Sequence, residues 1–259
     1  MCMITSLTLA CSQTLSPGNP GTSTNGGTSP VRLTISAAAS VQDAMQEVKA
    51  LYETVNPDVS ITYNFGSSGS LAQQIAQGAP TDVFLSASQQ WMDSLETQGE
   101  ILEGSRQNLL LNSLVLITPL DQTAVQDFSD IATDKVNRVA IGEPKSAPVG
   151  RYAREALTSL NLFDTLQSKM VFAKDVRQVL AYVETGNVDA GLVYATDARG
   201  SEQVMAIATA PAESHPPIIY PVGVVAASQS TEAAQAFVDF LADDEAVTIF
   251  TNYGFTIAE

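Results

Sequence analysis

Two short segments that contain serine and glycine have the composition of an anion-binding turn. The first is Ala37-Ala38-Ala39-Ser40, and the second is Phe65-Gly66-Ser67-Ser68-Gly69-Ser70. Each follows an apolar run typical of a strand and precedes a pattern typical of an amphipathic helix. At such a junction free backbone N–H groups and serine hydroxyls point to one place, where they can bind the oxygens of an anion. Two such turns that meet at the edge of a parallel sheet would form a neutral oxyanion site.

A serine at a strand–helix junction can also serve the helix alone. The Ser40 hydroxyl could act as an N-cap that accepts one backbone N–H, and Ser67 and Ser68 carry the same ambiguity. Gly66 and Gly69 favour the ligand interpretation, because glycine lets the backbone come close to a bound group. The residue types leave both interpretations open.

The sequence disfavours nucleophilic catalysis, because the two turns lack the motifs that such catalysis uses. The Gly66–Gly69 spacing is neither that of a phosphate-binding loop, which continues into Gly-Lys-Ser/Thr, nor that of the hydrolase G-x-S-x-G elbow. A hydrolase with Ser68 as nucleophile would also need a base. The single histidine, His215, lies in a proline-flanked loop pattern that predicts a surface position, and no serine has a lysine three residues later.

Composition excludes further classes. The 259 residues carry 12 Lys and Arg against 28 Asp and Glu, a net charge of -16, which argues against nucleic acid or an anionic membrane surface as partner. Both cysteines, Cys2 and Cys11, lie near the N-terminus. The body of the chain therefore has no cysteine for a disulfide or a metal site, and one histidine cannot build a zinc cluster.

Other polar residues stand where predicted strands end. Tyr194 closes an apolar run, so its hydroxyl either reaches water from the core or donates a hydrogen bond at the carboxyl edge of the sheet. Asp82, Asp189 and Asp197 also flank strand ends. We interpret these three as turn and cap residues, because a carboxylate facing an anion would repel it. Arg151 and Arg177 are expected near the site as salt-bridge residues or as residues that face a partner protein.

The elements that must position these residues follow an α/β pattern. A β-α-β-α-β order opens the body of the chain and predicts a parallel sheet with helices on both faces. The run 114–117 is predicted to leave a first lobe, and the run 218–227 to return to it. The predicted strands are 32–36, 59–65, 82–86, 114–117, 139–142, 190–194 and 218–227.

The N-terminal 30 residues read as a leader and a tether. Residues 3–10 are mostly small and apolar and precede Cys11, which resembles the end of a lipoprotein signal without its basic start. A lipidated Cys11 and an unstructured leader with an incidental cysteine both stay open. Residues 16–30 are rich in Gly, Pro, Ser and Thr, a composition typical of a flexible linker.

Ordered motifs along the body of the chain are similar to those of the molybdate-binding proteins of ABC-type molybdate importers. The resemblance extends from Val31 to the C-terminus. Its motifs are AAAS at 37–40, FGSSG at 65–69, QI at 74–75, GAPTDVFLSA at 78–87, QWMD at 90–93, PVGRYA at 148–153, DVR at 175–177, GLVY at 191–194, TDA at 196–198 and YGF at 253–255.

This resemblance implies a two-lobed type II periplasmic binding protein. Each lobe would be a mainly parallel sheet flanked by helices, with the ligand in the cleft between the lobes. The expected division is a leader and tether over 1–30, a first lobe over 31–112 plus 220–259, and a second lobe over 113–219.

The resemblance also implies a set of ligand contacts. Ser40 and Ser68 would contribute hydroxyl and amide groups from the first lobe. Val149 and Val176 would contribute backbone N–H groups from the second lobe, and Tyr194 its hydroxyl. The family usually has alanine where this chain has Val149. No side chain would bind a metal ion directly, because the metal arrives inside an oxyanion.

The function implied is capture of molybdate, and of tungstate, for delivery to a membrane permease. The protein would be a monomer without cofactor or catalytic activity, located in the periplasm or outside the cytoplasmic membrane, with Cys11 as its candidate lipid anchor. The alternative on the same fold is a receptor for sulfate or another tetrahedral oxyanion. The effector domain of a transcription regulator also shares this fold, but it would need a basic helix-turn-helix, and residues 1–30 carry no charged side chain.

Overall fold

Two β-sheets flanked by helices make up the computed structural model, which describes residues 30–258. The leader, Cys11 and most of the tether lie outside the described residues. The first sheet has the strand order β11-β4-β10-β3-β1-β2, and the second has the order β7-β6-β8-β5-β9. This two-lobed α/β architecture confirms the predicted fold class.

The strands and helices have the following bounds. The strands are β1 Val31–Ala38, β2 Val59–Gly66, β3 Val83–Leu85, β4 Gln107–Asn112, β5 Leu114–Pro119, β6 Val139–Gly142, β7 Met170–Ala173, β8 Ala190–Tyr194, β9 Val204–Thr209, β10 Ile218–Val224 and β11 Thr256–Ile257. The helices are α1 Gln42–Val55, α2 Ser68–Ala76, α3 Gln89–Thr97, α4 Pro148–Ser159, α5 Phe163–Leu166, α6 Val176–Glu184, α7 Ala195–Arg199, α8 Thr231–Phe240 and α9 Asp244–Asn252.

Parallel pairing occupies only part of each sheet. Strand β1 pairs in parallel with β2 and β3, and β6 pairs in parallel with β7 and β8. The other pairings, which involve β4, β5, β9, β10 and β11, are antiparallel. The prediction of mainly parallel sheets therefore needs correction, because both sheets are mixed. In the first sheet β10 lies antiparallel between β3 and β4, and in the second β5 lies antiparallel between β8 and β9.

The two serine turns meet at one edge of the first sheet. Ala38 and Gly66, the last residues of β1 and β2, lie opposite each other in the parallel register. The turns that follow them therefore begin side by side, as predicted for a parallel pair. In the second sheet Gly142 and Ala173 end β6 and β7 in the same way.

The chain crosses between the sheets twice. It leaves the first sheet after β4 and enters the second at β5, with only Ser113 between the two strands, and it returns through residues 210–217 to β10. Buried residues on both sides of the crossing, such as Leu110 and Leu114, belong to one continuous core. The exact lobe boundaries at 112/113 and 219/220 stay a prediction.

Neither a membrane span nor a metal cluster occurs in residues 30–258. No helix described there is long and apolar enough to cross a bilayer. The same residues contain no group of three or more His, Cys, Asp or Glu side chains arranged to hold a metal ion.

Candidate functional site

All five residues predicted to contact the ligand line one small cavity between the two sheets. Its volume is about 20 Å³, and its other lining residues are small or apolar except for Ser67 and Asp175. A single water needs roughly 10–15 Å³ on such a measure, so the space between these residues is of the size that a very small ligand needs. Its lining is Ala38, Ala39, Ser40, Gly66, Ser67, Ser68, Ala87, Ala147, Pro148, Val149, Asp175, Val176 and Tyr194.

Ser40 lies in a short 3₁₀ turn, Ala39–Val41, between β1 and α1. No side chain caps this turn or the α1 helix that follows it. The Ser40 hydroxyl instead lies 2.9 Å from the hydroxyl of Tyr220, and Ser40 is only 4% exposed. The capping interpretation is therefore wrong for Ser40.

Ser67 and Ser68 divide the two roles that the sequence left open. Ser67 is the N-cap of α2, and its hydroxyl accepts a hydrogen bond from the Ser70 backbone N–H. Ser68 is the first residue of the helix and is fully buried. Its oxygen accepts the backbone N–H of Ala87 at 2.9 Å, which leaves the hydroxyl proton of Ser68 free to point into the cavity.

Val149 and Val176 present main-chain donors from the second sheet. Val149 follows Pro148 in the first turn of α4, and Val176 is the first residue of α6. Backbone N–H groups in the first turn have no partner within their helix, and the helix dipole makes this end attractive to anions.

Two glycines let α4 begin this close to the sheet. A Cβ atom on Gly150 would lie 2.0 Å from the carbonyl oxygen of Gly142, the last residue of β6. A Cβ on Gly142 would lie 2.7 Å from a methyl group of Val149. The position of the Val149 N–H therefore depends on the absence of side chains at both glycines.

Tyr194 ends β8 with a buried hydroxyl that lacks a hydrogen-bond partner among the described residues. Burial raises the pKa of Tyr194 well above its usual value, so the phenol keeps its proton. An unpaired buried hydroxyl costs free energy, roughly 1–3 kcal/mol. Because Tyr194 lines the cavity, a bound oxyanion is the acceptor that would satisfy it.

Asp175 is a lining residue that the sequence reasoning did not select. Its side chain caps α6 by accepting the Gln178 backbone N–H at 2.9 Å. The helix N-terminus therefore stabilises this charge beside the cavity. The position of Asp175 just before a helical stripe was the available signal, and it indicates a cap.

The lobes touch across the cavity through polar contacts. The Gly69 N–H donates to the carbonyl of Ser146 at 2.9 Å, and the Arg177 guanidinium lies 2.7 Å from Asp43. A Cβ on Gly69 would lie 2.5 Å from that same carbonyl oxygen and 2.6 Å from the Trp91 ring. Gly69 thus serves the approach of the other lobe, a role that differs from the predicted approach to a ligand.

Arg151 and Arg177 form salt bridges and do not line the cavity. Arg151 pairs with Glu155 at 3.2 Å and also donates to Ser88 across the cleft. The salt-bridge interpretation of both arginines is confirmed. No Lys, Arg or His side chain described in the structure lines the cavity, and His215 lies against the Tyr152 ring.

The three aspartates at strand ends have different environments. Asp82 accepts the backbone N–H of Thr34 in β1, and Asp189 accepts that of Asn137, so each carboxylate ties its strand end to a distant segment and neither caps a local turn through these bonds. Asp197 is 1% exposed, and its carboxylate oxygens have no hydrogen-bond partner among residues 30–258. Arg177 Nε lies 3.0 Å from Asp197, but its N–H is directed at the Ala39 carbonyl. The cap prediction is therefore wrong for Asp197, and burial raises its pKa to about 7.

Comparisons with known proteins agree with this geometry. The model of the family "Bacterial extracellular solute-binding protein" matches residues 33–256. The chain is 45% identical to the "Putative ABC transporter substrate-binding lipoprotein YvgL" of Bacillus subtilis (strain 168), over 87% of this chain and 86% of that protein. It is 41% identical to the molybdate-binding protein ModA of Escherichia coli (strain K12), over 87% and 89%. The solved periplasmic molybdate-binding protein of Azotobacter vinelandii matches with a TM-score of 0.80 at 25% identity, over 88% and 100%.

Proposed function

We propose that this chain, which belongs to the bacterial extracellular solute-binding proteins, captures molybdate and tungstate for the permease of an ABC importer. Family membership makes it an ABC-transporter solute-binding protein that acts outside the cytoplasm, and it confirms both the resemblance seen in the motifs and the prediction that the chain is not an enzyme. The identity of the ion and its contacts with Ser40, Ser68, Val149, Val176 and Tyr194 are the proposal.

The observation that carries the proposal is the unpaired hydroxyl of Tyr194 in a cavity of about 20 Å³. The other proposed donors are neutral hydroxyls and helix N-terminal amides, which suit an anion and offer nothing to a cation. A hydrogen bond to a charged group contributes roughly 1.5–3 kcal/mol, or about 10- to 150-fold in affinity. Five such donors can hold a dianion without a basic side chain.

Selectivity would follow from protonation and size. An oxyanion that keeps a proton, such as hydrogen phosphate, places a donor against donors and loses a hydrogen bond. Sulfate is fully deprotonated but smaller than molybdate or tungstate, so a closed, rigid cavity would leave some of its hydrogen bonds long. The alternative receptor for sulfate differs from our proposal in this size argument alone.

Closure of the two lobes would complete the site. The serine side chains lie on the first lobe, whereas both helix N-termini and Tyr194 lie on the second. A hinge at the two chain crossings would bring these halves together around the ion. The Gly69–Ser146 hydrogen bond and the Arg177–Asp43 salt bridge, which already join the lobes in this structure, would hold the closed cleft and would break when it opens.

Three further features belong to this proposal. The protein acts as a monomer and needs no cofactor, because the transported ion is its only ligand. Lipidation at Cys11 holds it at the membrane, and the uncharged tether gives the body reach. The partner is the membrane permease, which receives the ion when the cleft opens.

Isothermal titration of the purified protein tests the ligand assignment. We expect saturable binding of molybdate and tungstate, weaker binding of sulfate, and the weakest binding for phosphate, which competes only at high concentration. A Ser40→Ala/Ser68→Ala double variant should lose most of the molybdate affinity, whereas Ser159→Ala, at an exposed position in α4, should retain it. Tight sulfate binding would establish the alternative, and an absence of heat with every oxyanion would refute both.

A further inference from the structure

We infer that Tyr220 and Asn112 act as positioning residues, which force the Ser40 hydroxyl to donate its proton to the bound oxyanion. Neither residue lines the cavity, and neither belongs to the five proposed contacts. The inference rests on the proposed function, because it specifies how one of those contacts gains its polarity. It concerns the selectivity of the site for a fully deprotonated ion.

The geometry links the three side chains in a row. The Tyr220 hydroxyl lies 2.9 Å from Ser40 Oγ, and Asn112 Nδ2 lies 3.3 Å from the Tyr220 hydroxyl. Tyr220 is fully buried, with its ring in edge contact with Tyr194 on one side and Phe255 on the other. The phenol oxygen therefore has a fixed position behind Ser40.

The direction of the hydrogen bonds follows from Asn112. Its Oδ1 accepts the backbone N–H of Ser113 at 2.9 Å, which identifies the opposite side of the amide as the NH₂ group. One Nδ2 hydrogen goes to Thr196 at 2.9 Å, and the other goes to Tyr220. Asn112 can only donate to the phenol, so the phenol accepts there and directs its own proton to Ser40.

As a consequence, the Ser40 hydroxyl can act toward the ligand only as a hydrogen-bond donor. Burial raises the pKa of Tyr220 well above its usual value, so the donating proton stays on the phenol. Ser40 Oγ then accepts from behind, and its single proton is free to point forward into the cavity. In this arrangement the Ser40 hydroxyl presents its proton, and not a lone pair, to the ligand.

Ser68 reaches the same polarity by a different route. Its oxygen accepts the Ala87 backbone N–H, a donor that every residue except proline would retain at position 87. At Ser40 the donor is the Tyr220 side chain, so the effect of this donor can be tested by substituting Tyr220. Together the two serines give the first lobe a wall that offers protons and no lone pairs, which disfavours any oxyanion that retains a proton.

Tyr220→Phe is the central test, because it removes the phenol oxygen and keeps the ring. We expect molybdate affinity to fall roughly threefold to tenfold, since the Ser40 hydroxyl becomes free to rotate. The ratio of molybdate to phosphate affinity, measured by competition at constant pH, should fall further, because the freed Ser40 oxygen can accept the proton of hydrogen phosphate. A general structural defect would weaken both ions alike.

A double-mutant cycle with Ser40→Ala separates positioning from other effects. If Tyr220 acts through Ser40, Tyr220→Phe should cause no further loss of molybdate affinity in the Ser40→Ala background. Asn112→Ala should reproduce part of the Tyr220→Phe loss and add nothing to it. Additive losses, or an unchanged molybdate-to-phosphate ratio, would overturn the inference.

Tyr63→Phe is the matched control. Its hydroxyl donates to the Met45 carbonyl at 2.8 Å, away from the cavity, so its removal also costs one tyrosine hydrogen bond. We expect molybdate affinity and the ion ratio to stay at the unsubstituted values. If the unsubstituted protein binds no oxyanion, the proposed function fails; if it binds and Tyr220→Phe behaves like Tyr63→Phe, only the positioning role fails.

Discussion

The two halves of the cavity solve the same chemical problem with different parts of the chain. The first-sheet half offers the serine hydroxyls of Ser40 and Ser68: Ser68 Oγ accepts the Ala87 N–H, and Ser40 Oγ lies 2.9 Å from the Tyr220 hydroxyl. The second-sheet half offers the first-turn amides of Val149 and Val176, whose positions depend on where α4 and α6 begin. The donors of the first half therefore depend on residue identity, whereas the amide donors of the second half depend on the path of the backbone.

This difference predicts opposite sensitivities to substitution. A serine donor disappears when its side chain is shortened, whereas an amide donor survives any side chain that leaves the helix in place. Tyr194 is the exception in the second half, since its donor is a side-chain hydroxyl that has no hydrogen-bond partner among residues 30–258. The following substitutions test these sensitivities.

The largest loss of molybdate affinity is expected from Gly150→Ala, which displaces the backbone at the start of α4. The new Cβ would lie 2.0 Å from the Gly142 carbonyl, so the start of α4 must move and carry the Val149 N–H with it. We expect a loss of molybdate affinity of about a hundredfold and, from overpacking of roughly 1–3 kcal/mol, a lower melting temperature. Gly200→Ala is the control, because its nearest neighbour would lie at an ordinary 3.6 Å.

Ser68→Ala should come next and should exceed Ser40→Ala in its effect on stability. Each change removes one donor and should weaken molybdate binding about tenfold to a hundredfold. Ser68→Ala leaves the Ala87 N–H, which is fixed in the backbone, buried and unpaired. Ser40→Ala removes the acceptor of the Tyr220 hydroxyl proton, but that hydroxyl can rotate and keeps its bond from Asn112. Thermal melts of the ligand-free variants check this. Equal melting temperatures would contradict the greater cost that we assign to the Ala87 N–H.

Tyr194→Phe should lower affinity about tenfold without lowering the stability of the ligand-free protein. The removed hydroxyl has no partner among the described residues, so its loss costs the empty site nothing. Titration and a thermal melt on the same sample measure the two quantities. A lower melting temperature without ligand would mean that another group satisfies this hydroxyl.

The smallest change in affinity is expected from Val149→Ala, next to the position with the largest. The amide stays in place, so molybdate affinity should change less than about threefold, although loss of a buried side chain lowers the melting temperature. A large loss of affinity would contradict the view that the second half binds through its backbone. It would instead assign the valine side chain a role in closure.

The sequence predicted those site residues whose type and position at a strand end are informative by themselves. Ser40, Ser68 and Tyr194 each stand at a strand end, which is why their residue types were informative. Nothing in the residue types alone marked the amides of Val149 and Val176, and they entered through the family resemblance. The placement of all five around one cavity agrees with that expectation, while their contact with an ion stays a prediction.

The residues that the sequence missed act through long-range contacts. Tyr220 meets Ser40 across 180 positions and Asn112 across 108, distances over which no periodicity carries information. The same limit explains the sheets: β4 begins and ends with polar residues, β7 has only four residues, and only tertiary structure places β10 antiparallel between β3 and β4. Local patterns therefore predicted β1, β2, β3, β5, β6, β8 and β10, and missed β4, β7, β9 and β11 together with the antiparallel pairings.

The buried carboxyl group of Asp197 couples folding of this chain to proton uptake. Its pKa is about 7 in the folded protein against 3.8 for a free carboxyl, chiefly because burial penalises the charge. Between these two pH values the folded state binds a proton that the unfolded state releases, so this residue's contribution to stability falls as pH rises and levels off above about 7. Asp197→Asn should flatten that slope when melting temperatures are compared from about pH 4 to 8. Each molecule that folds in a mildly acidic medium would thus take up a proton at Asp197, beside the Arg177 side chain whose salt bridge with Asp43 joins the two lobes.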